Sequence, residues 1–155
     1  MRINGHGHIL PEPSQIPKFM KDKKLFWIDE DKKFMRQANW SRPISDPSFF
    51  VKEKIEWMNQ HKIDHSVMLC LSQLYCNGWK KQDCVDAIRF QNDFNASVQN
   101  DYSQMFTCGF VVQPLYMDHA LKEIERCVLQ LGLKVLCLPT HFLNTNGEWL
   151  SIAEE

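Results

Sequence analysis

Arg2-Ile3-Asn4-Gly5-His6-Gly7-His8-Ile9-Leu10-Pro11 opens the chain and decides how the rest is read. The segment has the makings of a first strand, closed soon after by Pro11. In a strand, residues i and i+2 point to the same side. His6 and His8 can therefore aim two imidazoles at one point. Gly7 between them leaves the opposite face uncrowded. Two neutral ring nitrogens so placed suit a divalent metal. The spacing alone does not decide this, because short His motifs recur by chance.

Outward from that segment, the bulk composition narrows the choices. The 155 residues are the size of one ordinary domain, 44% apolar and 24% charged, as in a globular chain. A net charge of −1 gives no electrostatic reason for nucleic acid or an anionic membrane. No apolar run is long enough for a membrane span. The N-terminus lacks a basic-then-apolar leader pattern, so the expected location is the cytoplasm. Cys70, Cys76, Cys84, Cys108, Cys127 and Cys137 include no CxxC pair and lie mostly in apolar runs. They read as free, buried, structural thiols.

Past the first strand (2–9) comes a Pro-rich loop (10–17). Leu25 to Ile28 and Lys33 to Arg36 flank the acidic turn Asp29-Glu30-Asp31, which predicts a small hairpin. Asp46-Pro47 reads as N-cap and first residue of a helix carrying Val51, Ile55 and Met58. Ser66 to Leu71 is nearly all apolar, as in a strand buried on both faces of a parallel sheet. Cys84, Ala87, Ile88, Phe94 and Val98 mark a second helix, and 106–112 a third strand. Asp118 reads as the cap of a third helix striped by Ala120, Leu121, Ile124, Val128 and Leu131 and ended by Gly132. Residues 133–138 form a fourth strand, stopped by Pro139. Residues 149–153 look like a helix just starting. The order β-α-β-α-β-α-β predicts an α/β fold with a parallel sheet and right-handed crossovers. An eight-stranded α/β barrel needs about 250 residues. The expectation is a single domain over 1–155, about four βα units forming the front part of an incomplete barrel.

Three segments carry a family resemblance. They are the opening strand with its HxH and Pro11; Asp46-Pro47 leading through Ile55-Glu56-Trp57-Met58 to Ile63-Asp64; and Ala120 to Val128 with Leu131-Gly132 and Thr140-His141. Together they resemble the N-terminal half of the aminocarboxymuconate-semialdehyde decarboxylase family, a branch of the metal-dependent amidohydrolase superfamily. The resemblance implies a distorted (β/α)8 TIM barrel with His6 and His8 as ligands to a divalent metal, usually zinc. It also implies a further His on a fifth strand, an Asp on an eighth and an acid/base His, none of which has a counterpart within these 155 residues. The catalytic acid/base is therefore expected beyond residue 155, and the chain is expected to stop before the fifth strand. The implied reaction is non-oxidative decarboxylation of an unsaturated or aromatic carboxylic acid. In the family an arginine from the hairpin after strand 1 clamps the substrate carboxylate. Arg36 matches that place best and Arg42 competes with it.

Other residues gather at the carboxyl ends of the strands, where barrel active sites lie. His141 and Trp79 are substrate-binding candidates, with Tyr75, Asn77 and Gln113 as weaker pocket candidates. His65 reads as structural, and His61 and His119 as exposed helix-end residues. Two other functions compete with decarboxylation. One is hydrolysis or hydration by the same superfamily chemistry. The other is a non-catalytic half-barrel whose unpaired edges drive homodimerisation.

Overall fold

The computed structural model describes residues 1–144 and 146–152. Strand β1 (Ile3–Gly7) is followed by a 3₁₀ turn at Pro13–Gln15 and a short helix α1 (Lys18–Asp22). The expected loop (10–17) holds the 3₁₀ turn, and α1, whose Met20 is fully buried, follows it in a stretch where the sequence pattern predicts no element. Next come β2 (Trp27–Ile28), β3 (Phe34–Gln37) and β4 (Trp40–Pro43). The expected hairpin is there, but β4 extends it to a three-stranded antiparallel sheet. Asp46 accepts a hydrogen bond from the Ser48 N–H at 2.9 Å and so caps a 3₁₀ turn, Pro47–Phe49. The helix proper, α2 (Val51–Gln60), starts four residues later than the Asp-Pro signal suggested.

The remaining repeat is β5 (His65–Met68), α3 (Lys81–Asp101), β6 (Phe106–Val111), α4 (Met117–Leu129) and β7 (Val135–Cys137). Asp118 lies inside the first turn of α4, not at its cap, which is Tyr116. The last two strands, β8 (His141–Leu143) and β9 (Trp149–Ser151), pair antiparallel. They replace the helix expected at 149–153, of which residue 153 lies outside the described residues. A Thr-His-Phe-Leu run followed by Trp-Leu-Ser suits extended backbone better than a helix start. No helix among the described residues is long and apolar enough to cross a membrane.

The main sheet is parallel throughout, in the order β1-β5-β6-β7. Its strands alternate with helices, as the α/β reading requires. The pairing of β5 with β6 stops at Met68–Cys108. Beyond it, side chains of α3 take the backbone groups of β6. Asn92 accepts from the Val111 N–H at 2.9 Å and donates to the Val111 carbonyl at 3.0 Å. Asn95 donates to the Gly109 carbonyl at 2.7 Å, and Gln99 accepts from the Cys108 N–H at 2.9 Å. Asn92 and Asn95 share one helical stripe, so α3 takes up β6 beyond its last pair with β5 as a stand-in strand would, while Gln99 links the Cys108 N–H to the Gly132 carbonyl ahead of β7.

The core has two parts. One, around Met20, Phe26, Ile28, Met35 and Phe50, underlies the antiparallel sheet and the carboxyl ends of the parallel strands. The other, around Met58, Met68, Phe106 and Phe110, lies against α2, α3 and α4. All six cysteines are free and buried. The α4 stripe buries less than its pattern suggested. Ala120 is buried, but Leu121 and Val128 are 58% and 44% exposed.

Candidate metal site and its cavity

The register of β1 on β5 shifts between the Asn4–Ser66 and Gly7–Met68 pairs, an irregularity that leaves an extra residue in β1. Such bulges re-aim side chains. This one lies immediately before His6-Gly7-His8. The space beneath Gly7 is not open: a Cβ there would lie 3.0 Å from the Met68 side chain, so Met68 fills what the glycine leaves.

His8 follows the strand and is held by its Nδ1 at 2.9 Å from the Leu69 carbonyl. A carbonyl accepts only, so Nδ1 carries the proton and the His8 Nε2 presents a lone pair. His6 Nε2 lies 3.2 Å from His8 Nε2, the rings edge-to-face at 87°. Two nitrogens about 2.0–2.1 Å from a tetrahedral ion would be about 3.3 Å apart. The pair fits a shared divalent ion in spacing and in tautomer. Among the described residues no group of three or more His, Cys, Asp or Glu side chains converges as a metal-binding set.

Both histidines line an open cavity of about 560 Å³ with Arg42, Tyr75, Cys70 and Cys137. The two candidate arginines separate on strand alternation. Ile28, Met35 and Arg42 are directly paired across β2, β3 and β4, so their side chains share one face. Ile28 and Met35 are buried on that face. Trp27, Arg36 and Ser41 form the neighbouring row, on the other face. Arg36 is held by Asp29, its Nε 2.8 Å from Oδ1 and a terminal nitrogen 2.6 Å from Oδ2. Hydrogen bonding to Arg36 holds the Asp29 carboxyl below its ordinary range. Arg42 lines the cavity and has no hydrogen-bond or ion-pair partner among the described residues.

Trp79 and Asn77 line a second cleft, which shares Ser72 and Gln73 with the histidine cavity. Gln37 ties the antiparallel sheet to this rim through a 2.9 Å bond to the Gln73 carbonyl. Burial pushes the Tyr75 hydroxyl up to about 12. His141 is exposed on β8, 3.1 Å from the Thr140 hydroxyl, and does not line the histidine cavity. His65 bonds the Gln104 carbonyl and the Thr107 hydroxyl, a structural position. His61 stacks on Trp57.

Cys70 and Cys137 are cavity residues that the reading of all six cysteines as structural passed over. Cys137 ends β7 and Cys70 follows β5 by two residues, so both lie at carboxyl ends of parallel strands, the one signal that could have marked them. Gly109 makes room for Cys137: a Cβ on Gly109 would come within 2.8 Å of the Cys137 Sγ. The Cys70 thiol beside it brings Cys137 down to about 7, against the opposing effect of burial. Cys70 itself moves up, by its bond to Cys137 and by desolvation.

A parallel βα sheet with His6 in its first strand and His8 just after it has the architecture of the front part of a (β/α)8 barrel. No family model matches the chain. It is 26% identical over 157 residues to 2-amino-3-carboxymuconate-6-semialdehyde decarboxylase of Dictyostelium discoideum, covering 96% of this chain and 42% of the relative. The 2,6-dihydroxybenzoate decarboxylase from Rhizobium superposes with a TM-score of 0.62 at 16% identity, over 95% of this chain and 41% of that one. A dihydroxybenzoic acid decarboxylase from Polaromonas sp. JS666, solved with manganese and 2-nitroresorcinol bound, gives 0.62 at 15% identity over 94% and 40%. These findings support a relationship to the aminocarboxymuconate-semialdehyde decarboxylase-like amidohydrolases. The chain spans about two-fifths of the length of the relatives it matches.

Proposed function

We propose that this chain carries the first part of a metal-dependent decarboxylase site for an unsaturated or aromatic carboxylic acid. One observation carries the reading. Two Nε2 atoms lie 3.2 Å apart, with His8 oriented by the Leu69 carbonyl, in a cavity that also holds the unpartnered Arg42. His6 and His8 would hold a divalent ion, with zinc and manganese the foremost choices. Such an ion polarises substrate oxygens. Arg42 is the proposed carboxylate clamp, since a guanidinium without a partner can present two parallel N–H donors. Arg36 takes the lesser role of fixing the antiparallel sheet through Asp29. Trp79 and His141 are rim residues that a larger acid could reach.

Catalytic zinc normally takes three protein ligands. We therefore expect this polypeptide on its own to bind metal weakly and not to release CO2 from substrate. Residues 1–155 then act as one partial barrel domain. The test is calorimetric titration of zinc and of manganese into the chain and into a His6→Ala, His8→Ala double variant. Saturable binding in the first and none in the second is expected. Equal binding in both overturns the ligand assignment.

The apolar face beside β7 favours a second reading that can accompany the first. Leu121, Val128, Leu136 and Leu138 are 58%, 44%, 38% and 42% exposed, and β7 pairs only with β6 among the described residues. We propose that two copies associate across this face.

A further inference from the structure

Between α3 and α4, away from the histidines, lies a crevice of about 210 Å³. It shares no lining residue with the histidine cavity. Its floor is apolar, built from Cys84, Val85 and Ile88 of α3, Val112 after β6, and Ala120 of α4. Its rim is cationic. Arg89, His119 and Lys122 line it, and none has a hydrogen-bond or ion-pair partner among the described residues.

The one carboxylate in the lining offsets only part of that charge. Glu123 is paired with Arg126, whose Nε and a terminal nitrogen reach its two oxygens at 2.9 and 2.7 Å. Arg126 also reaches Asp93 at 2.6 Å, and Asn92 donates to Glu123 at 2.8 Å. Glu123, Asp93 and Arg126 together keep one net negative charge, so Arg89 and Lys122, neither with a direct partner among the described residues, leave the rim net positive over an apolar floor. A carboxylate-bearing ring satisfies both parts: the ring on Val85, Ile88 and Ala120, the carboxylate at the two cations. Inorganic phosphate would satisfy only the rim. The volume suits one ring, below the range of drug-sized ligand pockets.

The crevice backs directly onto the rim of the histidine cavity. Gln113 lines it and donates to the Tyr75 carbonyl at 2.7 Å and to Asn77 at 3.2 Å. Tyr116 lines it and donates to the Trp79 carbonyl at 3.0 Å. Tyr75 lines the histidine cavity, and Trp79 the adjoining cleft. We propose that the α3–α4 crevice binds a single-ring organic carboxylate, and that its occupancy braces the Tyr75–Trp79 segment through Gln113 and Tyr116. The binding half of this inference stands whether or not the histidine pair supports decarboxylation. A ligand that orders a shared segment couples two sites without a large change of shape.

Benzoate is the probe, followed by amide chemical shifts in an Arg42→Ala protein, where the clamp of the histidine cavity is gone. Saturable shifts are expected at Arg89 and Lys122 and along residues 75–79. Adding Arg89→Ala and Lys122→Ala should weaken binding by about tenfold or more, the loss of roughly one good ionic contact. Both residues are exposed, and an unchanged melting temperature checks that the variant is folded. Benzamide, of the same shape but uncharged, should also bind about tenfold more weakly. Equal binding of benzamide, or of the Arg89→Ala, Lys122→Ala protein, overturns the site. Saturable binding with no response at 75–79 overturns the brace.

Discussion

Arg42 and Arg36 sit one residue position apart across an antiparallel pair, yet on opposite faces. On the proposed function, Arg42→Ala should weaken binding of an aromatic carboxylate in the histidine cavity by about tenfold or more, read from the Leu71 and Ser72 amide shifts. Arg36→Ala should leave that affinity within about twofold, because its guanidinium is engaged by Asp29 on the far side. A second expectation concerns thiols. Iodoacetamide should label Cys137 before Cys76, Cys108 and Cys127, as peptide mass spectrometry would show. The rate should rise with pH through about 7, since the thiolate is the nucleophile and Cys137 ionises near that value. Burial pushes Cys108 and Cys127 up to about 12, which keeps them protonated. The nearness of His6 and His8 was legible in the sequence from their spacing, but the irregularity between Asn4 and Gly7 and the end of β1 before His8 were not. The arginine choice was not, because it depends on β4 and on which face of a three-stranded sheet meets the core. The family resemblance pointed to Arg36; the proposal of Arg42 rests on its place in the cavity lining.

At the scale of elements, the polar stripe of α3 invites two measurements. Asn92→Leu removes both side-chain bonds to Val111 and leaves buried backbone groups unpaired. It should cost about 2–4 kcal/mol in urea unfolding, at one to two per lost partner. Glu123 gives a pH test. Burial alone would raise its pKa, but hydrogen bonds from Arg126 and Asn92 overcome this and hold it below 4.5. A lowered folded-state pKa means stability that is present above the unfolded value and lost as pH falls toward the folded one. The urea midpoint should therefore drop below about pH 4.5, and Glu123→Gln should flatten that drop. The β-α-β-α-β-α-β order was readable from apolar runs and caps. The role of Asn92 and Asn95 was not, since helix propensity treats buried amides as unfavourable and only the end of the β5–β6 pairing gives them work. Helix α1 and strand β4 were missed for a related reason: each is a few residues long and held by tertiary contact rather than by periodicity.

For the whole molecule, the parallel sheet has β1 at one edge and β7 at the other among the described residues. Unpaired edges beside exposed leucines promote association. Light scattering after size exclusion should report a dimer, and Leu121→Glu combined with Val128→Glu should return a monomer. A wild-type monomer at every concentration would remove the association proposal and leave the metal reading intact.

The stand-in strand of α3 also carries a chemical clock. Asn92 places its Nδ2 3.0 Å from the Val111 carbonyl oxygen and 2.8 Å from Glu123 Oε1. Deamidation would exchange that nitrogen for an oxygen and set three oxygens against one another with no proton between them. An aged molecule would lose its grip on β6 at a single atom. Full burial within a helix shields Asn92 in the native state. Damage should then accumulate in protein that has been held unfolded, and show itself as a fraction that no longer refolds.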